Sequence, residues 1–398
     1  MTGAINKNRA LLFIFLGLLS AFGPFVTDMY LPTLPSMTDY FHTTPSAVQL
    51  GLTFSMLGLA LGQLFFGPIS DKIGRRPPLI LSMAIFVLST LGCIFAPDIR
   101  IFLALRFIQG LAGAGGIVIS RSVAADSFGG AELAKALAVI AAINGVAPVA
   151  APVIGGTCAD IIGWRGIFVI LLGIGVILWA MCSGFSETLA EDKRSQEKWG
   201  ETFKLFLQVL RRRSFVFYVL QMGCSQGILF GNIASSPFII QRHYGGSAFV
   251  FSLCFAFNSL FIALGTLLSA RFNNQRDSIK CSCIGMLLGS LAVSLALYSG
   301  CSVYVYEALV TLLCFAMGMT FTSASALALN EVRDLAGTGS AVLGSLGFAV
   351  GGLVAPLLGL GNMFVSVSCV FVCSALLSGF FAVLAARSGD EAEALRAA

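Results

Sequence analysis

Residues 77–97 read PPLILSMAIFVLSTLGCIFAP, a run with no charged side chain, set between Lys72, Arg75 and Arg76 on one side and Asp98 and Arg100 on the other. A bilayer crossing needs about 20 largely apolar residues. This run supplies them without period-two alternation, so it reads as a transmembrane helix and not as a barrel strand. Moving outward, the pattern recurs near 10–32, 45–69, 100–121, 136–159, 165–186, 214–238, 247–270, 280–299, 303–327, 335–360 and 362–386, giving twelve predicted spans. Composition agrees: of 398 residues, 57% are hydrophobic and only 11% charged, against roughly 25% charged in soluble domains. A chain so poor in charge cannot cover itself in water. The first run is too long for a signal peptide and is followed by Asp28, so it is expected to stay in the protein.

Lysine and arginine set the orientation. With Lys7 and Arg9 in the cytoplasm, three of the 24 Lys and Arg residues (Arg100, Arg165 and Arg242) fall on the far side. Arg106 falls within a span, and the remaining 20 are cytoplasmic, among them Arg211, Arg212 and Arg213. The expected fold is therefore an all-α integral membrane protein of 12 transmembrane helices with both termini cytoplasmic. Residues 1–186 form a first six-helix bundle, 187–213 a cytoplasmic linker, and 214–398 a second bundle with a short cytoplasmic tail. The positive charge is spent on topology, which removes nucleic acid as a partner. In the linker, Trp199, Phe203, Phe206, Leu207 and Leu210 fall at helical spacing; an interfacial helix and a solvated linker both fit. The halves repeat faintly. Ala151, Pro152 and Gly155 have counterparts in Ala355, Pro356 and Gly359, and the loop Asp71–Arg76 has a degraded one at Arg271–Arg276. Parallel repeats of this kind build one large class of secondary transporters.

Ionised groups in hydrocarbon cost several kcal/mol, so each is a functional candidate. Asp28, Arg106 and Glu307 fall within spans. At the 1.5 Å rise of a helix, Asp28 lies roughly 27 Å along the first span and Arg106 roughly 10 Å into the fourth from the opposite end, depths at which they can face each other. Glu307 is expected near the interface. Desolvation and a neighbouring cation act in opposite senses on a carboxylate. Motion of the arginine, or a change of water access, would thus switch Asp28 between charged and neutral forms. A static ion pair is the structural alternative. In the seventh span, Gln221, Ser225, Asn232 and Ser236 share one helix face, and Gln109, Asn144 and Asn258 add amides elsewhere; a water-filled cavity or interhelical hydrogen bonds account for such polarity. Gly110, Gly113 and Gly116 permit close helix approach, and Gly145, Pro148, Pro152, Gly155 and Gly156 are expected to bend the fifth span. The eleven cysteines, scattered and without a CxxC, read as buried hydrophobes and not as a metal site. No P-loop, HExxH or Ser/His pair is present. His42 and His243 lie in predicted outer loops, which argues against an enzyme.

Four of these stretches, taken in order, resemble one family. Gly67, Asp71, Lys72, Gly74, Arg75 and Arg76 resemble the loop 2–3 signature of the major facilitator superfamily, and Arg106, Gln109 and Gly110 its fourth-helix motif. Gly145, Pro148, Pro152, Gly155 and Gly156 resemble its antiporter motif, with Ala151 where glycine is usual. Asp28, Tyr30, Pro32 and Pro35 resemble the first-helix motif of the bicyclomycin/chloramphenicol resistance (Bcr/CflA) drug:proton antiporter group. The resemblance implies proton-driven export of drug-like molecules such as bicyclomycin, chloramphenicol and sulfonamides. It further implies proton coupling at Asp28, Arg106 in the proton or substrate site, and a conformational latch at Asp71, Arg75 and Arg76; Tyr30 is expected to line a substrate cavity with the polar residues above. Where the group carries Arg-Asp after helix four, this chain has Ala125 and Asp126, with Arg121 a turn earlier; Arg121 is the expected partner of Asp71. A metabolite exporter or an uptake symporter on the same fold is the alternative. No cofactor is expected: a proton crossing 100 mV supplies about 2.3 kcal/mol and a pH unit about 1.36, enough to hold a neutral solute at roughly a hundredfold gradient. The expected partners are protons, a small solute and lipid, and the expected state is a monomer.

Overall fold

The computed structural model describes residues 9–195, 199–359 and 361–397; Lys7 and Lys198 lie outside the described residues. Among these, the ordered elements are helices alone. The first apolar run is not one helix. Pro24 has no N–H for the carbonyl of Ser20, and the chain breaks at Ala21 between α1 (Arg9–Ser20) and α2 (Phe22–Asp28). Pro32 and Pro35 then sit in the first turns of a short 3-10 segment (Leu31–Thr33) and of α3 (Leu34–Tyr40), positions where the missing N–H costs nothing. The apolar helical path therefore runs Leu11–Tyr40, beyond the expected end at residue 32.

The remaining long helices are α4 (Pro45–Ile73), α5 (Arg76–Ile94), α6 (Ile99–Ser127) and α7 (Gly130–Ser183), followed by the shorter α8 (Trp199–Leu210). After it come α9 (Arg213–Phe238), α10 (Ala248–Ser269), α11 (Gln275–Ser299), α12 (Val303–Glu331), α13 (Ala336–Val354) and α14 (Met363–Ala397). Eleven stretches of the described residues are long and apolar enough to cross a membrane. The longest, α7, has 54 residues and one non-helical position, Gly163 (φ 64°, ψ −176°), a conformation essentially reserved for glycine. Pro148 and Pro152 keep helical dihedrals, and the one non-helical residue, Gly163, falls in the expected junction between the fifth and sixth spans.

Contacts divide the chain into two compact units, Met1–Glu197 with Ser247–Ser252, and Lys198–Gly246 with Leu253–Ala398. In the first, α4 and α6 approach through small residues: a Cβ on Gly110 would strike the Ser55 carbonyl, and one on Gly62 would lie 2.5 Å from that of Leu111. Leu16, Phe22, Met83, Phe86, Leu178 and Phe185 fill its core. The second unit repeats the device between α10 and α12, where Gly318 meets the Ile262 carbonyl and Gly265 that of Phe315. Its core holds Tyr218, Val219, Ala328 and Val342, and Val209 of α8 is buried among them with Phe206 beside it. The linker is thus helical over 199–210, with Leu207 and Leu210 outward; the side chains of Trp199 and Phe203 lie outside those described.

Outer faces carry Leu88 (66% exposed), Leu295 (72%) and Tyr304 (83%), apolar surface suited to lipid and not to water. All eleven cysteines are free, and their expected burial holds only in part. Cys93, Cys182 and Cys314 are buried, while Cys281, Cys369 and Cys373 are exposed on these outer faces.

Candidate functional site

Asp28 is the last residue of α2 and is 6% exposed, the one carboxylate in the buried class among the described residues. The helical path continues twelve residues past it, so it lies further from the end of its span than its position in the apolar run implied. Arg106 of α6 is fully buried and reaches the same segment. It does not pair with the carboxylate. Its Nη2 donates to the carbonyl oxygen of Val26 at 2.9 Å, and its Nη1 donates to Oε1 of Gln109, whose Nε2 in turn donates to Thr90 Oγ1 at 2.7 Å. The guanidinium carbon stands 4.3 Å from the centroid of the Tyr30 ring and 5.6 Å from that of Phe168. The reason lies in the helix end. The last carbonyls of α2 have no intrahelical donor, and a cation beside a helix C-terminus satisfies both the hydrogen bond and the dipole. Arg106 therefore caps the proline-bounded helix that carries Asp28, and the expected face-to-face pair is replaced by a contact to backbone.

The fifth-span motif grips the same segment. A Cβ on Gly155 would strike the carbonyl oxygen of Met29, next to Asp28, and one on Gly156 would strike Ser252. Gly145 faces open space, without a neighbour within 4 Å of its Cβ position, so it is no packing glycine. Asn144 donates to Ser20 Oγ at 2.6 Å, beside the break between α1 and α2.

In the second unit the polar stripe of α9 divides. Gln221 donates to Ser378 Oγ of α14 at 3.0 Å and Ser225 shares that hydroxyl at 3.0 Å, an interhelical tie, while Ser236 donates to Asn232 Oδ1 at 2.6 Å. Asn258 donates to Glu307 Oε1 at 2.7 Å and accepts from Thr311 at 2.7 Å. Glu307 is therefore half-buried and hydrogen-bonded.

The loop between α4 and α5 is a dense charge cluster. Arg75, 6% exposed, donates through Nε to Asp126 Oδ2 at 2.8 Å, through Nη1 to Ser70 Oγ at 2.9 Å, and also to Asp71. Burial works against its charge, but the ion pairs with Asp126 and Asp71 outweigh it and raise its proton affinity further. Arg121 makes no ion pair or hydrogen bond among the described residues; the partner of Asp71 is Arg75, an i,i+4 neighbour. Gly74 has φ 98°, and a Cβ there would strike Glu187. Glu187, which the sequence reading left in the linker, accepts from the backbone N–H groups of Arg75 at 2.8 Å and Arg76 at 3.0 Å, and from Thr188 and Leu189 at 3.0 Å each. Burial alone would raise its pKa, yet the four N–H donors prevail and hold it below the ordinary glutamate value. Arg76 donates to the Ser183 carbonyl at 3.0 Å. Lys72 closes α4, and Gly67 meets Val118 at ordinary contact distance. An isolated acid just after the sixth apolar run was the available signal for Glu187.

Two helical units, a capped break carrying a buried acid, and a basic turn locked by acids are features suited to a membrane transporter. The pattern of the Major Facilitator Superfamily matches residues 14–356, and the chain belongs to that family. It is 34% identical over 370 residues, 90% of each chain, to an uncharacterized MFS-type transporter of Bacillus subtilis. It is also 29% identical to a bicyclomycin resistance protein homolog of Haemophilus influenzae, over 88% of this chain and 89% of that one. A bacterial homolog of the human lysosomal transporter Spinster, inward-facing and occupied, matches with a TM-score of 0.74 over 96% of this chain and 97% of that one, at 15% identity. These relatives bear out the kinship with the drug-resistance group. The protein is a multi-pass transporter of the bacterial inner membrane that handles small molecules, and it is not an enzyme.

Proposed function

We propose that this protein exports small drug-like molecules of the amphenicol or bicyclomycin type in exchange for protons, by alternating access. Twelve spans follow if Gly163 divides α7 into two crossings, and the lysine and arginine distribution then puts both termini in the cytoplasm. A monomer is the working unit, and the proton gradient takes the place of a cofactor. One observation carries the reading: Asp28 is buried at the end of a proline-bounded helix with no cation within 4 Å among the described residues, while the nearby Arg106 is held by the Val26 carbonyl. An unpaired charge at such a site is costly. The charged form of Asp28 therefore favours a state in which Arg106 leaves Val26 for the carboxylate or water enters, and the neutral form favours the arrangement described. Proton binding and conformation are linked in this way. The names of the relatives support a drug-like solute.

Asp28→Asn tests this. In everted vesicles the variant is expected to insert and to bind substrate, yet to lose ΔpH-driven transport of chloramphenicol. Undiminished ΔpH-driven transport refutes the assignment.

A further inference from the structure

The two units cross one pair of helices by the same device. In the first, a Cβ on Gly58 of α4 would strike the Phe107 carbonyl of α6 and one on Gly110 that of Ser55; in the second, Gly265 of α10 meets the Phe315 carbonyl of α12, and Gly318 that of Ile262. Matching Gly58 to Gly265 and Gly110 to Gly318 sets the register of the repeat along these helices. In that register Asn258 stands where the first unit has Gly51, Glu307 where it has Ile99, and Thr311 where it has Leu103. The first unit leaves the place apolar, with a Cβ on Gly51 3.2 Å from the Phe102 ring and 3.9 Å from Leu103. The second fills it with a connected polar group. Thr311 donates to Asn258 Oδ1 at 2.7 Å, which turns the amide so that Nδ2 donates to Glu307 Oε1 at 2.7 Å. Oε2 is not used by this chain of bonds.

Among the described residues, nothing around Glu307 matches a permanent negative charge. No cation stands within 4 Å of the carboxylate, and the group beside it on α10 is the Cys254 thiol. On α12 itself the neighbouring titratable groups are Tyr306 and Cys314, both buried; Tyr306 packs against Tyr244, which follows α9. In the last two turns of α11 the buried residues are Val293, Ala296 and Leu297, α9 offers Ser236 bonded to Asn232, and α13 carries no titratable side chain. The basic residues at this end of the unit, Arg242 and His243, lie against rings. The Arg242 guanidinium carbon is 5.8 Å from the Phe238 centroid, and His243 meets Tyr244 and Phe364 edge-on. The Asn258–Thr311 bond already ties α10 to α12, so packing alone does not call for an acid, and an acid within a span is costly.

We propose that Glu307 is a second proton-binding site, with Asn258 as the donor that steadies its ionised form and Oε2 as the atom that takes the proton. The inference rests on the proton-driven export proposed above and adds a second proton to it. Glu307 lies four residues inside α12, about 6 Å along its axis, and is half-buried. In the orientation proposed above, that end of α12 faces the outer phase, from which protons enter. The amide serves both forms, because Oε1 accepts its bond whether Oε2 is bare or protonated.

Infrared difference spectroscopy of the purified full-length protein reads the protonated carboxyl directly and needs no solute, so it separates this inference from the export reading. Between acid and alkaline pH the wild type is expected to show a protonated-carboxyl band that is absent in E307Q and kept in D28N. Asn258→Leu removes the donor to the charged form, so the band should persist to a pH about one unit higher; a purely structural role gives no such shift. E307D carries the comparison where E307Q does not insert, with the band displaced but present. In proteoliposomes with the membrane potential clamped, a ΔpH of about one unit should hold chloramphenicol at about a hundredfold gradient in the wild type and about tenfold in E307Q, as two protons and one require. No Glu307-dependent band, or an unshifted one in Asn258→Leu, overturns the proton site, and equal gradients in wild type and E307Q overturn its part in export. With the band present, absence of chloramphenicol transport supports the site and overturns the export reading alone.

Discussion

Glu187→Gln is the sharpest test of the charge cluster. The carboxylate receives four backbone N–H donors, three of them on Oε1 and that of Arg76 on Oε2. An amide keeps one acceptor oxygen and turns an NH2 group toward the remaining donor. Hydrogen bonds to a charged acceptor contribute about 1.5–3 kcal/mol each and neutral ones about 0.5–1.5. Weakening three and losing one amounts to roughly 4 kcal/mol before screening. The site is partly exposed, and solvent screening reduces this to about 2 kcal/mol. For a unit of this size that corresponds to a fall in Tm of about 4–8 °C, measurable by tryptophan fluorescence of the purified protein. The pH dependence gives a second reading. Because the folded-state pKa of Glu187 is depressed, its contribution is complete above the unfolded value, about 4.3, and is lost as pH falls through the folded one. The Tm difference between wild type and variant should therefore hold at neutral pH and shrink once pH drops below the ordinary glutamate range. An unchanged Tm at pH 7, or a difference that grows in acid, refutes the role assigned to Glu187.

Three further outcomes are expected. Asp126→Asn should lower Tm by about 1–3 kcal/mol equivalent, because it strips Arg75 of a buried partner, whereas Arg121→Gln should leave Tm within about 0.5 kcal/mol equivalent; the reverse order would restore Arg121 as the latch partner. Arg106→Lys keeps the charge but not the fork. It should leave either the Val26 carbonyl or Gln109 without its bond, at about 1–3 kcal/mol, and shift the pH optimum of export in everted vesicles. Gly155→Ala must displace the Met29 carbonyl, so thermal unfolding should show a loss of about 1–3 kcal/mol and export should fall; wild-type stability would remove the close approach as a constraint.

The spans were legible because lipid imposes length and apolarity on every crossing, and the run 77–97 shows both. Their interruptions were less so. Pro24 breaks α1 from α2 while Pro148 and Pro152 leave α7 helical, and the difference depends on where each ring meets its surroundings, not on the presence of proline. Asp28 and Arg106 stood out as charges in hydrocarbon, yet the target of Arg106 is the Val26 carbonyl, a backbone atom with no signature in residue type. The Arg75–Asp71 pair was available from i,i+4 spacing on the helix–loop boundary. The reach of Glu187 to the amides of Arg75 and Arg76 is a contact across more than a hundred residues that only folding creates.

The single residue that interrupts α7 has a mechanical meaning. Gly163 joins two long helices with no intervening loop. Both arms touch the neighbourhood of Asp28: the first places Gly155 against Met29, and the second places Phe168 5.8 Å from the Tyr30 ring. A displacement of the first helix felt at either arm is passed to the other through one hinge of fixed length. The pair has the geometry of a bell crank whose pivot is a glycine, and the proton exchange proposed at Asp28 would act on both of its arms at once.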